Sequence, residues 1–374
     1  VRSRGLGDVY KRQYMNRGFD NDNPDAEALT AGGIFKYETG SYNGLKFGVA
    51  YYGSHRVGGA FKRQDGIGTA NLDKNGNDLA FIGELYLQYN APNETMFKIG
   101  RQRLSTPLMN DHDLRLLPSS YEAAIIRNSA IEDTVIEAGY VKSYTGFTSK
   151  MNRFDDFDSV WGKDGLGYLW ITNKSISNLA LQGQYIKALS LRDDLGSLIN
   201  IKDYRYIDAK YSLPYGTNSY LSMQYGGNNY TMGDDSHMWG AKIGTTLWED
   251  KVDVALLYND IHKNAFKAVE SGPMYSDWQQ GYGPYEPSCA VGGQITIYPI
   301  ENLSLRFGYV DVSADKDFRE DGTYTDDFTE TNIDARYTLN SSTTLRARYS
   351  LKNQSASSDR EDRDDLRLIV YYNF

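Results

Sequence analysis

The feature that most constrains this chain is a two-residue alternation of apolar and polar side chains, repeated almost from end to end. In the last segment Leu366, Leu368, Val370, Tyr372 and Phe374 share one face, and Asp365, Arg367, Ile369, Tyr371 and Asn373 share the other. Leu303, Leu305, Phe307 and Tyr309 oppose Ser304, Arg306 and Gly308. Leu345, Ala347, Tyr349 and Leu351 oppose Arg346, Arg348 and Ser350. Leu79, Phe81, Leu85, Leu87 and Tyr89 oppose Glu84, Tyr86 and Gln88, and Leu45, Phe47, Val49 and Tyr51 oppose Lys46, Gly48 and Tyr52. Side chains on a strand point to opposite faces in turn, so this period predicts strands with one greasy and one wet side.

Strands are expected near 28–38, 45–53, 78–89, 95–103, 121–128, 134–142, 166–173, 178–189, 202–213, 218–226, 237–248, 251–260, 290–299, 302–311, 328–339, 343–352 and 364–374. Residues 14–19 read as the surviving end of one more, a truncated first strand, which brings the total to 18. The connections alternate. Short ones fall at Thr39–Gly44, Asn90–Glu94, Ser129–Asp133, Asn173–Ser177, Pro214–Thr217, Glu249–Asp250, Ile300–Glu301 and Asn340–Ser342. Long ones fall near 54–77, 104–120, 143–165, 190–201, 227–236, 261–289, 312–327 and 353–363. Short turns at one end and long loops at the other characterise a transmembrane antiparallel β-barrel. No linker divides the chain, so residues 14–374 form a single barrel domain.

Composition agrees. Mean hydropathy is −0.58, and no apolar run approaches the roughly 20 residues that a membrane-spanning helix needs. Barrel strands escape this test, because only alternate residues meet lipid. A soluble barrel would hide its apolar face inside, but so many strands enclose a lumen too wide for side chains to fill. The greasy face therefore points outward to hydrocarbon, where closure also removes unpaired edges. The 31 tyrosines suit strands and membrane interfaces alike. A net charge of −9 argues against a nucleic-acid binder. The single Cys289 excludes an intramolecular disulfide framework.

The two ends read differently. Residues 1–13 show no apolar signal region, and GLGDVYKRQ resembles translated adapter read-through. This stretch is set apart as a non-native artefact that does not extend the strand pattern, with the true N-terminus missing. At the other end Phe374, closing an alternating strand, resembles the signal that outer-membrane proteins present to their barrel-assembly machinery.

Between the strands ending at Arg103 and starting at Tyr121 lies STPLMNDHDLRLLPSSYEAA, preceded by FKIGRQRL. Pro107, Asn110, Asp111, Arg115, Leu116, Leu117, Pro118 and Tyr121 match a pattern that resembles the OprD-type outer-membrane porins. YMNRGF at 14–19 and AGGIFKYETGSYNGLKFGVAYYG at 31–53 also look like that family's start, closest to epsilonproteobacterial members. His112-Asp113 departs from the family loop, which moves directly from Asp to Ser-Arg. The resemblance implies 18 strands, a loop folded inward, and a ladder of basic residues that guides carboxylate-bearing solutes.

The alternation supplies candidates for each part. Arg306, Arg336, Arg346, Arg348 and Arg367 fall on the polar faces of the last four strands and would line one wall. Arginine stays charged and offers carboxylates a fork of donors. The bland alternative is a neutral wet wall balanced by Asp334, Asp365 and loop acids. Glu84, Asp208 and Asp253, with Asp111 and Asp113, could form an opposing acidic side. Loop 104–120 is the expected constriction, stiffened by Pro107 and Pro118, with Asp111, Asp113 and Arg115 pairing inside it; the alternative is a loop lying over the rim.

Asp111, Asp113, Asp155 and Asp156 are weak candidates for a cation, since Ca²⁺ takes carboxylate oxygens; the run lacks EF-hand spacing and reads first as solvated acids. His55, His112, His237 and His262 are scattered, HExxH and GxSxG are absent, and no phosphate-binding glycine loop occurs. No cofactor is expected and catalysis is not. The expected function is a passive water-filled channel for small polar or carboxylate-bearing solutes in a Gram-negative outer membrane, with surrounding lipid and a possible homotrimer as partners. A structural or adhesive barrel acting through its long loops is the competing reading.

Overall fold

A computed structural model describes residues 6–19, 25–62, 71–73, 75–111, 115–146, 157–159, 161–214, 218–270, 272–276, 286–315, 327–354 and 362–373. Strands β1 (Leu6–Phe19), β2 (Ala26–Glu38), β3 (Leu45–Lys62), β4 (Leu79–Ala91), β5 (Thr95–Gln102) and β6 (Ser120–Asn128) open the chain. They are followed by β7 (Thr134–Thr145), β8 (Leu166–Asn173), β9 (Leu179–Ala188), β10 (Ile201–Ser212), β11 (Tyr220–Tyr230) and β12 (Ser236–Leu247). The last are β13 (Val252–His262), β14 (Ser288–Ile300), β15 (Leu303–Ala314), β16 (Phe328–Thr338), β17 (Thr343–Gln354) and β18 (Arg363–Asn373). Each pairs antiparallel with its neighbours in sequence, and β1 also pairs with β18, so the 18 strands close.

The short connections are tight turns. Asn43, Glu94, Asp133, Asn178, Trp248, Glu249 and Asp250 take positive φ there, between 49° and 65°. Asn and Asp tolerate this left-handed region better than most residues, and a hairpin reversal demands it.

The faces are inverted relative to a soluble protein. On the outside Leu256 is 67% exposed, Ile243 52% and Leu368 46%. On the inside Asp365, Arg367 and Asn259 are fully buried. Water-facing surfaces do not carry so continuous an apolar band unless something apolar covers it. Two aromatic belts bound the band. Tyr37, Phe97, Tyr211, Tyr337 and Tyr372 lie at the short-turn end, and Tyr140, Tyr185, Trp239, Tyr258, Tyr309 and Tyr349 toward the long-loop end, all exposed. Amphipathic rings settle at both membrane interfaces in this way.

Two sequence expectations are corrected. Residues 6–13 do extend the strand pattern: β1 begins at Leu6, and its register runs unbroken against β2 and β18 through Val9, Lys11 and Gln13. The first strand is therefore not cut short at Tyr14. In β4, the unbroken alternation placed Leu79 and Phe81 on the same face as Leu85. A bulge opposite Ala50 and Tyr51 reverses the parity, because one extra residue flips every side chain beyond it. Leu79 is consequently buried beside Tyr52 and Leu117, and Phe81 meets the Tyr52 ring edge-on at 5.5 Å.

The main apolar core lies inside the barrel. Leu104, Leu108 and Met109 from the β5–β6 loop and Phe266, Val269 and Met274 from the β13–β14 loop pack against Tyr121, Tyr168, Ile186, Tyr206 and Met238 of the wall. Gly226 is needed for this: a Cβ there would strike the Phe266 ring at 2.5 Å.

An outward Leu256→Arg should lower the folding free energy by roughly 2–4 kcal/mol, the cost of a guanidinium at mid-membrane. Urea titration of the barrel folding into lipid vesicles measures it. Leu256→Met, tested alongside, should leave the midpoint nearly unchanged.

Candidate functional site

Pairing register decides what each wall shows the lumen. Arg306, Asp334, Arg348 and Arg367 stand directly opposite one another on β15 to β18, and the row continues to Met15 of β1. The neighbouring row contains Ser304, Arg336, Arg346 and Ile369. All five arginines singled out from the sequence thus share the lumen face.

Four of them converge on two carboxylates. Arg346 grips Asp334 through Nε at 2.9 Å and Nη2 at 2.5 Å. Arg348 and Arg306 approach the same carboxylate at 3.3 and 3.6 Å. Asp365, fully buried, takes Nε of Arg367 at 2.7 Å and Nη2 of Arg17 at 2.9 Å. Arg336 is exposed and has no ion-pair partner among the described residues. With Arg363 and Glu330 on the same faces of β18 and β16, seven guanidiniums therefore stand against three carboxylates on this wall among the described residues.

Sequence reasoning missed three further lumen cations, of which Arg17 adjoins this wall. Arg17 lies on β1, two residues from Phe19. Lys210 and Lys242 lie on β10 and β12 and flank Ser222 in one row. Neither lysine has an ion-pair partner among the described residues, and Lys210 lies 4.3 Å from the centroid of the Tyr220 ring. Their alternation with Asp208 and Ile243 was the available signal. The basic residues step from Lys210 near the short-turn end of β10 to Arg17 near the long-loop end of β1.

The expected acidic residues also face inward, but each is engaged. Glu84 accepts from Lys36 at 2.9 Å and Tyr52 at 3.2 Å. Asp208 accepts from Tyr275 at 2.9 Å and Tyr206 at 3.3 Å. Asp253 accepts from Thr246 at 2.8 Å and Tyr298 at 2.9 Å.

The β5–β6 loop enters the barrel. Leu108 N–H donates to Gln184 at 2.8 Å, and Gln184 donates back to Thr106 at 2.8 Å. Tyr121 donates to the Asn110 carbonyl at 2.7 Å. Asp111 pairs with Arg103 at the loop's base, where pairing with Arg115 was expected. Arg115 reaches the β1 wall instead, with Nη1 3.5 Å from the Met15 sulfur. Pro107 is half-buried and Pro118 buried. Asp113, Asp155, Asp156 and Phe374 lie outside the described residues. Among the described residues no group of three or more His, Cys, Asp or Glu could hold a metal.

The β13–β14 loop enters as well, which the sequence reading left outside as a surface loop. Val269 N–H donates to the Leu108 carbonyl at 2.9 Å, latching the two loops together. Asn228 and Lys267 exchange two hydrogen bonds at 2.7 and 2.9 Å, and Asn259 holds Ser276 at 2.9 Å. Phe266, Val269 and Met274 are apolar residues in an otherwise polar stretch, and they were the legible hint.

Comparison with known proteins agrees with this geometry. The model of the family described as outer membrane porin, OprD family, matches residues 7–262. No curated protein matches the sequence. Among solved structures, Pseudomonas aeruginosa OpdK with vanillate is 14% identical, with a TM-score of 0.78 over 99% of this chain and 98% of that one. OpdO of the same organism is 17% identical at 0.77, covering 99% and 96%. OccD3 (OpdP) is 16% identical at 0.75, covering 100% and 93%. These likenesses establish a shared barrel. With its closed 18 strands and the family match over most of its length, the chain belongs to the OprD family of outer membrane porins of Gram-negative bacteria.

Proposed function

We propose that this barrel is a diffusion channel for small solutes bearing a carboxylate, led along the wall of cations from Arg17 to Lys210. The observation that carries this reading is the surplus of guanidiniums over carboxylates on the lumen face of β15 to β18 and β1. A row of fixed positive charges in a narrow wet passage attracts anions and passes them on, because each site resembles the next. Arg346, Arg348 and Arg306 share one carboxylate, so they keep donors to spare for a passing solute. The vanillate in the OpdK structure is an aromatic carboxylate, which fits the same chemistry.

The two inward loops form the constriction in this reading. They cover the β6–β13 side of the lumen and leave the arginine wall as the passage. Glu84 and Asp208 supply the negative side of a transverse field, which would orient a zwitterion as it passes. Water and solute cross without covalent chemistry; the roles assigned to the residues are positioning and electrostatics.

Replacing both Arg346 and Arg348 by Ala should cut the anion preference by at least about twofold, read as the reversal potential across a planar bilayer under a salt gradient. An unchanged potential refutes the ladder. Removing residues 109–114 should raise single-channel conductance, because it shortens the inward loop and takes Met109 out of the lumen core. Equal conductance would mean that this loop does not narrow the pore.

A further inference from the structure

We propose that the outward face of β7 to β10, at the long-loop end, binds a phosphorylated, multiply acylated glycolipid of the outer leaflet. The first observation is a charge asymmetry around the rim. Beyond the aromatic belt, β13 to β18 present Asp260, Asp311 and Asp364 outward, and no lysine or arginine faces outward on those six strands among the described residues. On the opposite side Lys142 of β7 and Lys187 of β9 stand one step above Tyr140 and Tyr185, which are 39% and 43% exposed.

The second observation is a notch between the two lysines. Lys187 stands opposite Gly167 of β8. A Cβ on Gly167 would meet nothing nearer than a Leu189 methyl at 3.8 Å. Gly165 lies against the Lys142 backbone in the next row. The floor of the notch thus has no side chains, Tyr140 and Lys187 flank it with Asp203 beyond Lys187 and Lys142 one step above, and Leu189 roofs it at 52% exposure.

Two loops are stitched above it. Lys142 donates to the Lys163 carbonyl, and Lys163 N–H donates to the Arg192 carbonyl at 2.8 Å. Lys163 and Arg192 are carried on these loops, with Arg192 Nη1 donating to the Gly196 carbonyl at 2.6 Å. The Lys187 ammonium has no hydrogen bond or ion pair among the described residues. Acids are present too, but most are committed. Asp203 pairs with Arg205 at 3.5 Å, and Asp193 caps its own turn through the N–H groups of Leu195 and Ser197 at 3.0 and 2.8 Å. Asp164 and Asp194 remain exposed against four cations.

The chemistry selects the occupant. Cations at two heights suit more than one phosphate, and a single phospholipid headgroup would use only the lower pair. Exposed Leu191 and Leu198, at 46% and 48%, add apolar surface beside the charges. The position at the external edge of the apolar band matches a headgroup whose acyl chains run down past Tyr140 and Tyr185.

The test uses the full chain folded in detergent, titrated with diphosphoryl lipid A and followed by native mass spectrometry. The variant Lys142→Gln/Lys187→Gln should weaken binding by about tenfold or more, as should removal of both phosphates from the lipid. Gly167→Leu, which fills the notch and leaves the cations in place, should weaken it comparably. Lys251→Gln, in a turn at the other end, should change nothing. Unaltered single-channel conductance certifies each variant as folded. Wild-type affinity in both notch variants would overturn the proposal. So would phosphatidylglycerol binding as tightly as the diphosphoryl lipid, which would reduce the patch to a general anion attraction.

Discussion

Everything in this structure depends on the pairing of β1 with β18. In hydrocarbon an unpaired backbone N–H or C=O has no water to turn to, and each costs several kcal/mol. A sheet with a free edge could not stay there. The register from Val9–Asn373 to Phe19–Arg363 closes that edge along its whole length. Once closure is obligatory, strand number follows, and with it a lumen wider than side chains can fill.

That width is the opportunity for function. Among the described residues, what enters the lumen is loop. Leu108 and Val269, joined by one backbone hydrogen bond, carry an apolar cluster into the interior of the barrel. This soluble-style core packs on the β6–β13 wall. The opposite wall stays polar, and its arginines are held in fixed directions by Asp334 and Asp365. Those carboxylates matter for geometry: a guanidinium with one side tied to a neighbour presents the other in a defined direction. Buried ion pairs of this kind contribute little net stability, since desolvation offsets attraction. Their retention here suits orientation of charge in the lumen.

The strand pattern was readable because lipid and water impose a period of two on every spanning segment. Strands such as β17 and β18 were placed within a residue or two of their ends, and the short turns fell where Asn43, Asp133 and Asp250 reverse the chain. The lumen arginines of the last four strands were readable for the same reason. The errors have a common physical origin. Parity is a local property, and the bulge in β4 resets it without any mark that alternation can detect. The strand nature of Leu6–Gln13 comes from two partners, β2 and β18, far away in sequence. The inward course of the β13–β14 loop depends on the fit of Phe266 over Gly226, a contact across 40 residues.

By itself the sequence determined the class of fold and the sidedness of the strands wherever no bulge interrupts them, because both follow from which side chains tolerate hydrocarbon. Tertiary structure alone decided which loops enter the lumen and which carboxylate holds which arginine. Those depend on cross-strand register and loop packing, interactions between residues whose separation along the chain carries no periodic signal.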